Sequence, residues 1–307
     1  MRVLVTGGAG FIGSHVAEAL LLAGHSVVVL DNFSAGLRSQ VAKGATLVEG
    51  DVRDPAGWMS AVGRVEAVMH LAAQVSVPAG EADPVYDFEV NLAGTVKMLA
   101  AAAALGAREF RLASSAAVYG DTPALPLKED AALGPQSFYG LAKWAAEAYL
   151  RHFAETRGLT AVVLRLANVY GPRQRSEGEG GVVAVFCSRV AQGKPPVIHG
   201  DGSQTRDFIM VRDVARAFLH RLGEHAGGTF NVGTGQATSI RGLWQMFAEQ
   251  EGLPAALAES APTRPGDIHD SVMAVDRAAA WGFHPAIPLT AGILETYAYF
   301  RSHPAAD

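Results

Sequence analysis

The sequence predicts an α/β fold, a Rossmann-like doubly wound parallel sheet with a smaller α/β lobe. Three observations carry this. Short β-branched runs alternate with longer helical stretches through the first half of the chain. A glycine-rich turn follows the first run directly, and after about residue 170 the texture changes to short elements punctuated by Gly and Pro.

The elements follow in order. Residues 3–5 form the first strand and 11–23 the first helix; strands recur at 26–30, 46–49 and 67–71. An Ala-rich helix at 89–106 precedes a strand at 110–114, and a helix at 137–157 leads to a strand at 161–166. Continuous apolar strands separated by helices imply a parallel sheet covered on both faces, wound by right-handed crossovers. The expected boundaries are 1–168 for the first domain and 169–307 for most of the second lobe, with about 208–235 returning to the first.

Composition narrows the function. At 307 residues the chain suits two lobes, and 49% hydrophobic with 18% charged residues excludes a disordered chain. Lys and Arg number 25 against 30 Asp and Glu, a net charge of −5, so no general positive field attracts nucleic acid or an anionic membrane. The single Cys187 excludes an internal disulfide and a Cys-rich zinc site, and reads as a small buried residue. The ten histidines lack metal-ligand spacing, so no metal is expected. The first apolar run is too short for a signal-peptide core, and no stretch of about 18 apolar residues suits a membrane span. A soluble, cytoplasmic protein is expected.

Thr6-Gly7-Gly8-Ala9-Gly10-Phe11-Ile12-Gly13 lies between the first strand and the first helix. A turn this tight needs residues without Cβ, for positive φ and for close approach of a pyrophosphate, while the helix N-terminus supplies amides and dipole. Asp31 ends the second strand, 18 residues beyond Gly13. An acid there accepts from ribose hydroxyls and repels a 2′-phosphate, favouring NAD over NADP; the alternative is a solvated turn acid in Asp31-Asn32. Asp51-Val52, after the third strand, is expected beside the adenine.

Tyr139 and Lys143 stand four residues apart, on one face of a helix. A tyrosine of pKa about 10 is a poor base at neutral pH, and a nearby ammonium is expected to bring it toward the working range. Ser115 closes the fifth strand, at the edge where doubly wound folds bind ligands.

Thr6 to Gly13, Ser114-Ser115-Ala116-Ala117-Val118-Tyr119-Gly120 and Tyr139-x-x-x-Lys143 together resemble the extended short-chain dehydrogenase/reductase family, closest to its UDP-glucose (UDP-galactose) 4-epimerase branch. The resemblance implies an NAD-binding Rossmann domain, a nucleotide-sugar-binding lobe, and C4 epimerisation of a UDP-hexose through a transient 4-keto sugar. Dehydratases and decarboxylases of the family carry an acid after the strand-end serine, where this chain has Ala116 and Ala117. Ser115, Tyr139 and Lys143 are then the catalytic residues. The cofactor residues implied are Gly7, Gly10, Phe11, Ile12, Gly13, Asp31, Asn32, Asp51, Val52, Leu71, Ala72, Ala73 and Asn91, with Tyr139 and Lys143.

For the substrate, the resemblance implies Gln74, Ser115 and Asn168. Arg206 and Phe208 belong to an Arg-Asp-aromatic segment, and Arg264 and Asp267 to an Arg-x-Gly-Asp segment; two arginines suit a diphosphate. Val182 and Val197 are expected to flank the uracil, with His199 nearby. Ser271 stands where related enzymes carry a bulky wall near the sugar 2-substituent, which implies room for N-acetylhexosamines. Gln74-Val75-Ser76-Val77 replaces a lysine-bearing segment of many such epimerases, a pattern shared with UDP-glucuronate 4-epimerases. The other readings are therefore a different nucleotide-sugar epimerase and, more remotely, a non-catalytic NAD-sensing regulator. A homodimer is expected from the helices at 89–106 and 137–157.

Overall fold

Val3 to Val5, Val27 to Leu30 and Ala67 to Met69 are buried along their whole length, as parallel strands covered on both faces must be. The computed structural model describes residues 1–176, 181–263 and 268–303. The strands are β1 (Arg2–Thr6), β2 (Ser26–Asp31), β3 (Thr46–Glu49), β4 (Ala67–His70), β5 (Glu109–Ser115), β6 (Thr160–Leu166), β7 (Asn168–Tyr170), β8 (Val197–His199), β9 (Thr205–Met210), β10 (Gly228–Val232), β11 (Ala237–Ser239), β12 (Glu259–Ala261) and β13 (Asp270–Ser271). The helices are α1 (Phe11–Leu22), α2 (Met59–Val62), α3 (Val77–Ala82), α4 (Pro84–Phe88), α5 (Gly94–Ala104), α6 (Phe138–Arg157), α7 (Val182–Ala191), α8 (Val211–Leu219), α9 (Ile240–Gln250), α10 (Asp276–Ala280) and α11 (Leu289–Ser302).

The chain divides into two units, one of residues 1–120, 129–166 and 214–231, the other of 121–128, 167–213 and 232–307. The first holds the seven-stranded sheet in the order β10-β6-β5-β4-β1-β2-β3. From β1 the chain winds outward through β2 and β3, then crosses back to β4 and outward again through β5 and β6. That reversal leaves the C-terminal ends of β1 and β4 side by side, with Thr6 and His70 register partners. Open α/β sheets bind ligands at such a reversal. Trp58, Met98, Phe110 and Leu150 pack with strand residues such as Leu4 and Val28 into one core.

Two helical features position side chains. Ser137 caps α6, its Oγ accepting from the Gly140 amide at 3.1 Å, and Gly158 ends the helix in the left-handed region at φ +66°. The stretch read as one helix over 89–106 is instead a π turn at Glu89–Ala93 followed by α5. The wider turn accompanies a side-chain hold: Asn91 Oδ1 accepts from the Gln74 amide and its Nδ2 donates to the Gln74 carbonyl, each at 2.9 Å.

A buried polar network ties α6 to the sheet. Glu147 accepts from Arg165 at 3.0 and 2.7 Å and from Ser114 Oγ at 2.5 Å. Arg165 also donates to the Tyr119 hydroxyl at 2.9 Å, and that hydroxyl donates to Asn231 at 2.7 Å.

The second unit centres on β9, flanked by β7 and β13 in parallel and β11 in antiparallel. Phe186, Trp244, Phe247 and Tyr297 join α7, α9 and α11 by edge-to-face contacts. Asp207 fastens β9, accepting from the Thr234 amide and hydroxyl and from the Gly235 amide at 2.7 to 3.0 Å. Among the described residues no helix is long and apolar enough to cross a membrane.

Removing one member of the network strands a buried charge. Arg165→Ala is expected to cost about 3–5 kcal/mol of stability, measured by chemical denaturation. Arg165→Lys should recover only part, because an ammonium lacks the guanidinium fork.

Candidate active site and cofactor cradle

The glycine turn closes on itself. Gly7 has φ +68°, and a Cβ there would lie 2.8 Å from the Ala72 amide nitrogen. At Gly13 a Cβ would lie 2.1 Å from the Gly7 carbonyl oxygen. Gly10 is the N-cap of α1 and offers no side chain to its amides, and the first turn holds no acid. Phe11 and Ile12 open that helix, so free amides and the positive dipole end are presented to an anion.

Asp31 braces this turn. It is buried, its Oδ2 accepting from the Ala9 amide at 2.9 Å and its Oδ1 from the Phe33 amide at 2.8 Å. Both oxygens keep a further lone pair for a ribose hydroxyl. Asn32 donates to Asp51 at 3.0 Å, and Arg53 grips Asp51 through its Nη2 at 2.8 Å, which holds the Asp51 carboxyl down at about 2. Val52 is buried, and a Cβ at Gly94 would touch it at 3.0 Å. A cavity of about 430 Å³ opens beside Asp51, Arg53, Glu89, Ala93 and Lys97.

The reversal point is wired together by a chain of buried hydrogen bonds. Thr6 Oγ1 accepts from the Leu71 and Ala72 amides, each at 3.2 Å, and pairs with His70 Nδ1 at 2.8 Å. His70 Nε2 pairs with Thr95 at 3.0 Å, and Thr95 donates to the Asn91 carbonyl at 2.7 Å. His70 is fully buried and burial pushes its pKa to about 3, so the ring is a neutral strut. Ala73 follows, half-buried. Gln74, expected at the substrate, spends its side chain on the Ser76 backbone and on Asp87.

Ser115 ends β5 and its hydroxyl accepts from the Ala117 amide at 3.2 Å. Lys143 Nζ lies 5.8 Å from the Tyr139 ring centre. Lys143 is buried and donates to the Ala113 carbonyl at 3.0 Å. Burial raises the Tyr139 phenol to about 12, while the neighbouring Ser115 hydroxyl pulls it down. The expected drop toward neutrality therefore does not arise from the chain alone. Burial also lowers the Lys143 ammonium to about 8, with Asp87 and Glu147 pulling it back up.

In the second unit Asn168 is exposed on β7, Val182 begins α7, and Val197 and His199 lie on β8. His199 Nδ1 pairs with the Pro262 carbonyl at 2.9 Å. Arg206 donates to the Thr205 and His269 carbonyls, and Ser271 pairs with it in register. Phe208 is buried edge-on against Tyr170, so its ring packs inside this unit. Arg264 and Asp267 lie outside the described residues. Cys187 is buried on α7, its thiol pushed up by burial. Among the described residues no group of three His, Cys, Asp or Glu gathers for a metal.

A self-closed glycine turn at a sheet reversal, a buried acid behind it and a Ser–Tyr–Lys cluster on the adjoining strand and helix fit a nicotinamide dinucleotide. The family model for the NAD dependent epimerase/dehydratase family matches residues 3–233. The chain belongs to that family. UDP-glucose 4-epimerase of Mycolicibacterium smegmatis is 40% identical over 98% of this chain and 99% of its own. The Thermotoga maritima UDP-glucose 4-epimerase structure with UDP-glucose superposes with a TM-score of 0.94 at 37% identity, covering 99% of each chain. The Thermus thermophilus UDP-glucose 4-epimerase complex with NAD gives 0.91 at 41%, covering 98% of this chain and 99% of that one. At about 30% identity the epimerase/dehydratase family extends to decarboxylases and dehydratases of nucleotide sugars. This chain is an NAD-dependent enzyme of nucleotide-sugar modification.

Gly13→Ala is expected to force the turn open. NAD affinity should fall at least about tenfold, read by calorimetry and by the nucleotide released on denaturation.

Proposed function

We propose that this enzyme epimerises C4 of a UDP-hexose, interconverting UDP-glucose and UDP-galactose, and accepts the N-acetylhexosamine pair as well. The observation that carries the reading is the segment after the strand-end serine: Ala116 and Ala117 follow Ser115, so the cluster of Ser115, Tyr139 and Lys143 has no carboxylic acid beside it in sequence. Elimination or decarboxylation chemistry draws on such an acid, and a cluster without one is left with oxidation and re-reduction at a single carbon.

NAD, when bound, supplies the hydride acceptor and, in the return half-reaction, the donor. Tyr139 takes the proton of the sugar 4-hydroxyl and returns it to the same oxygen. Ser115 bonds that oxygen and keeps it aligned with Tyr139. Lys143, held by the Ala113 carbonyl, offers a cationic neighbour that favours the developing phenolate. Gly7, Gly10 and Gly13, with the α1 amides, cradle the pyrophosphate, and Asp31 accepts from the adenosine ribose. Asn168 and Arg206 are proposed at the substrate diphosphate, with Arg264 and Asp267. Ser271 leaves room for an N-acetyl group.

We also propose a homodimer. Phe138, Leu141, Trp144 and Tyr149 are exposed on α6, and Val85 and Phe88 on α4, an apolar surface suited to a second copy. Light scattering should return twice the monomer mass, and Trp144→Glu should shift it toward monomer.

An NMR time course with UDP-glucose, UDP-N-acetylglucosamine and UDP-glucuronate in separate tubes tests the reaction. The 4-epimer should appear from the first two without added reductant and without NADH accumulating. Turnover of glucuronate alone would replace the substrate, and silence with all three from NAD-loaded protein would sink the reading. Tyr139→Phe should lower turnover about 10²- to 10⁴-fold. Because burial lowers the Lys143 ammonium to about 8, turnover should decline as pH rises through that value and the cation is lost, read from the alkaline limb of kcat.

A further inference from the structure

Asp87 is a carboxylate that the sequence motifs leave unexplained. It lies on α4 and is 1% exposed. Its Oδ1 accepts from Gln74 Nε2 and from Asn91 Nδ2, both at 2.9 Å. Its Oδ2 is buried and accepts no hydrogen bond among the described residues. An acid placed so deep with one bare oxygen is expensive to bury unless a charge nearby compensates it.

The compensating charge is on α6. Helix α4 packs against α6, and Asp87 acts on both Lys143 and Tyr139 through its charge. The other groups around the pair are accounted for. Glu147, one turn beyond Lys143, is committed to Arg165 and Ser114. Burial pushes the Asp87 carboxyl up, Gln74, Asn91 and Lys143 pull it back down, and Glu81 on α3, which accepts from the Phe138 amide at 3.1 Å, adds a small push upward. His70, on β4, is neutral between Thr6 and Thr95. Ser115, on β5, carries no charge and pulls the Tyr139 phenol down. Among the described residues, Asp87 is thus the carboxylate acting on Lys143 that has an oxygen left without a hydrogen bond.

We propose that Asp87 is a positioning residue for the reaction, its buried negative charge keeping Lys143 an ammonium and holding Tyr139 as the neutral phenol until substrate and cofactor are in place. The proposal rests on the reading of Tyr139 as the proton-transfer group. The sign is fixed by electrostatics: a fixed anion disfavours a second anion on Tyr139 and favours the cation on Lys143. Removing it lowers the proton affinity of both groups together. A residue that merely holds Gln74 and Asn91 in place would leave both titrations where they are.

The test reads ionisation directly. Tyrosinate absorbance is followed against pH in the full-length protein and in Asp87→Asn, each with its Tyr139→Phe counterpart as the blank. In Asp87→Asn the Tyr139 titration should move down by about one pH unit, and both limbs of the kcat profile should move down with it. An unmoved titration in a folded variant would overturn the proposal. If Asp87→Asn does not fold, Asp87→Ser supplies the same comparison. Failure of both to fold would make Asp87 a purely structural acid and overturn it too. Absorbance needs no turnover, so a lowered titration in a protein that epimerises nothing would keep this inference and reject the proposed reaction instead.

Discussion

A buried ammonium is the constraint around which the first unit is organised. Lys143 is almost wholly out of water, and it donates to the neutral Ala113 carbonyl. An ammonium in such surroundings costs several kcal/mol unless carboxylates stand near it. Two do, Glu147 from the same helix and Asp87 from α4. Each carboxylate then needs partners of its own. Glu147 draws in Arg165 and Ser114, and through Arg165 the Tyr119 hydroxyl and Asn231. Asp87 draws in Gln74 and Asn91. Much of the polar interior of this unit follows from holding one cation beside one phenol.

Asp31 carries a second compromise. Its carboxylate is expected to meet a ribose, yet it already clasps the Ala9 amide of the glycine turn and the Phe33 amide beyond it. One acid therefore shapes the cradle and is also the group proposed to meet the ligand. An engineer wishing to change the cofactor by altering Asp31 would loosen the turn at the same time.

The features readable in the sequence were those with local spacing. Gly7, Gly10 and Gly13 crowd into one turn, and Tyr139 and Lys143 share one helix face, so each pattern stands in a few consecutive residues. The alternation of apolar runs and helices likewise exposes the sheet. The chain of hydrogen bonds through Thr6, His70 and Thr95 was not legible, because these side chains meet only when β1 and β4 pair and α5 lies against them. Asp87 was hidden for the same reason. Glu147 had a visible signal, since an acid four residues beyond Lys143 shares its helix face, and Arg165 in an otherwise apolar strand was its natural partner. The split of the long helix at 89–106 was not legible, because nothing in Glu89-Val90-Asn91-Leu92-Ala93 marks a π turn and the contact that accompanies it, Asn91 to the Gln74 backbone, joins residues 17 apart.

That π turn has a consequence for how this chain can change. It holds one residue more than a regular helical turn, so the helical stretch from α4 to α5 contains a removable residue. Deleting one position between 89 and 93 would restore an unbroken α-helix, a locally easier structure, while turning α4 by about 100° relative to α5. Asn91 would leave the Gln74 backbone and Asp87 would leave α6. Length in this stretch is therefore the variable that links a backbone irregularity to the charge environment of Tyr139 and Lys143, and a single-codon deletion there would alter that environment without touching either residue.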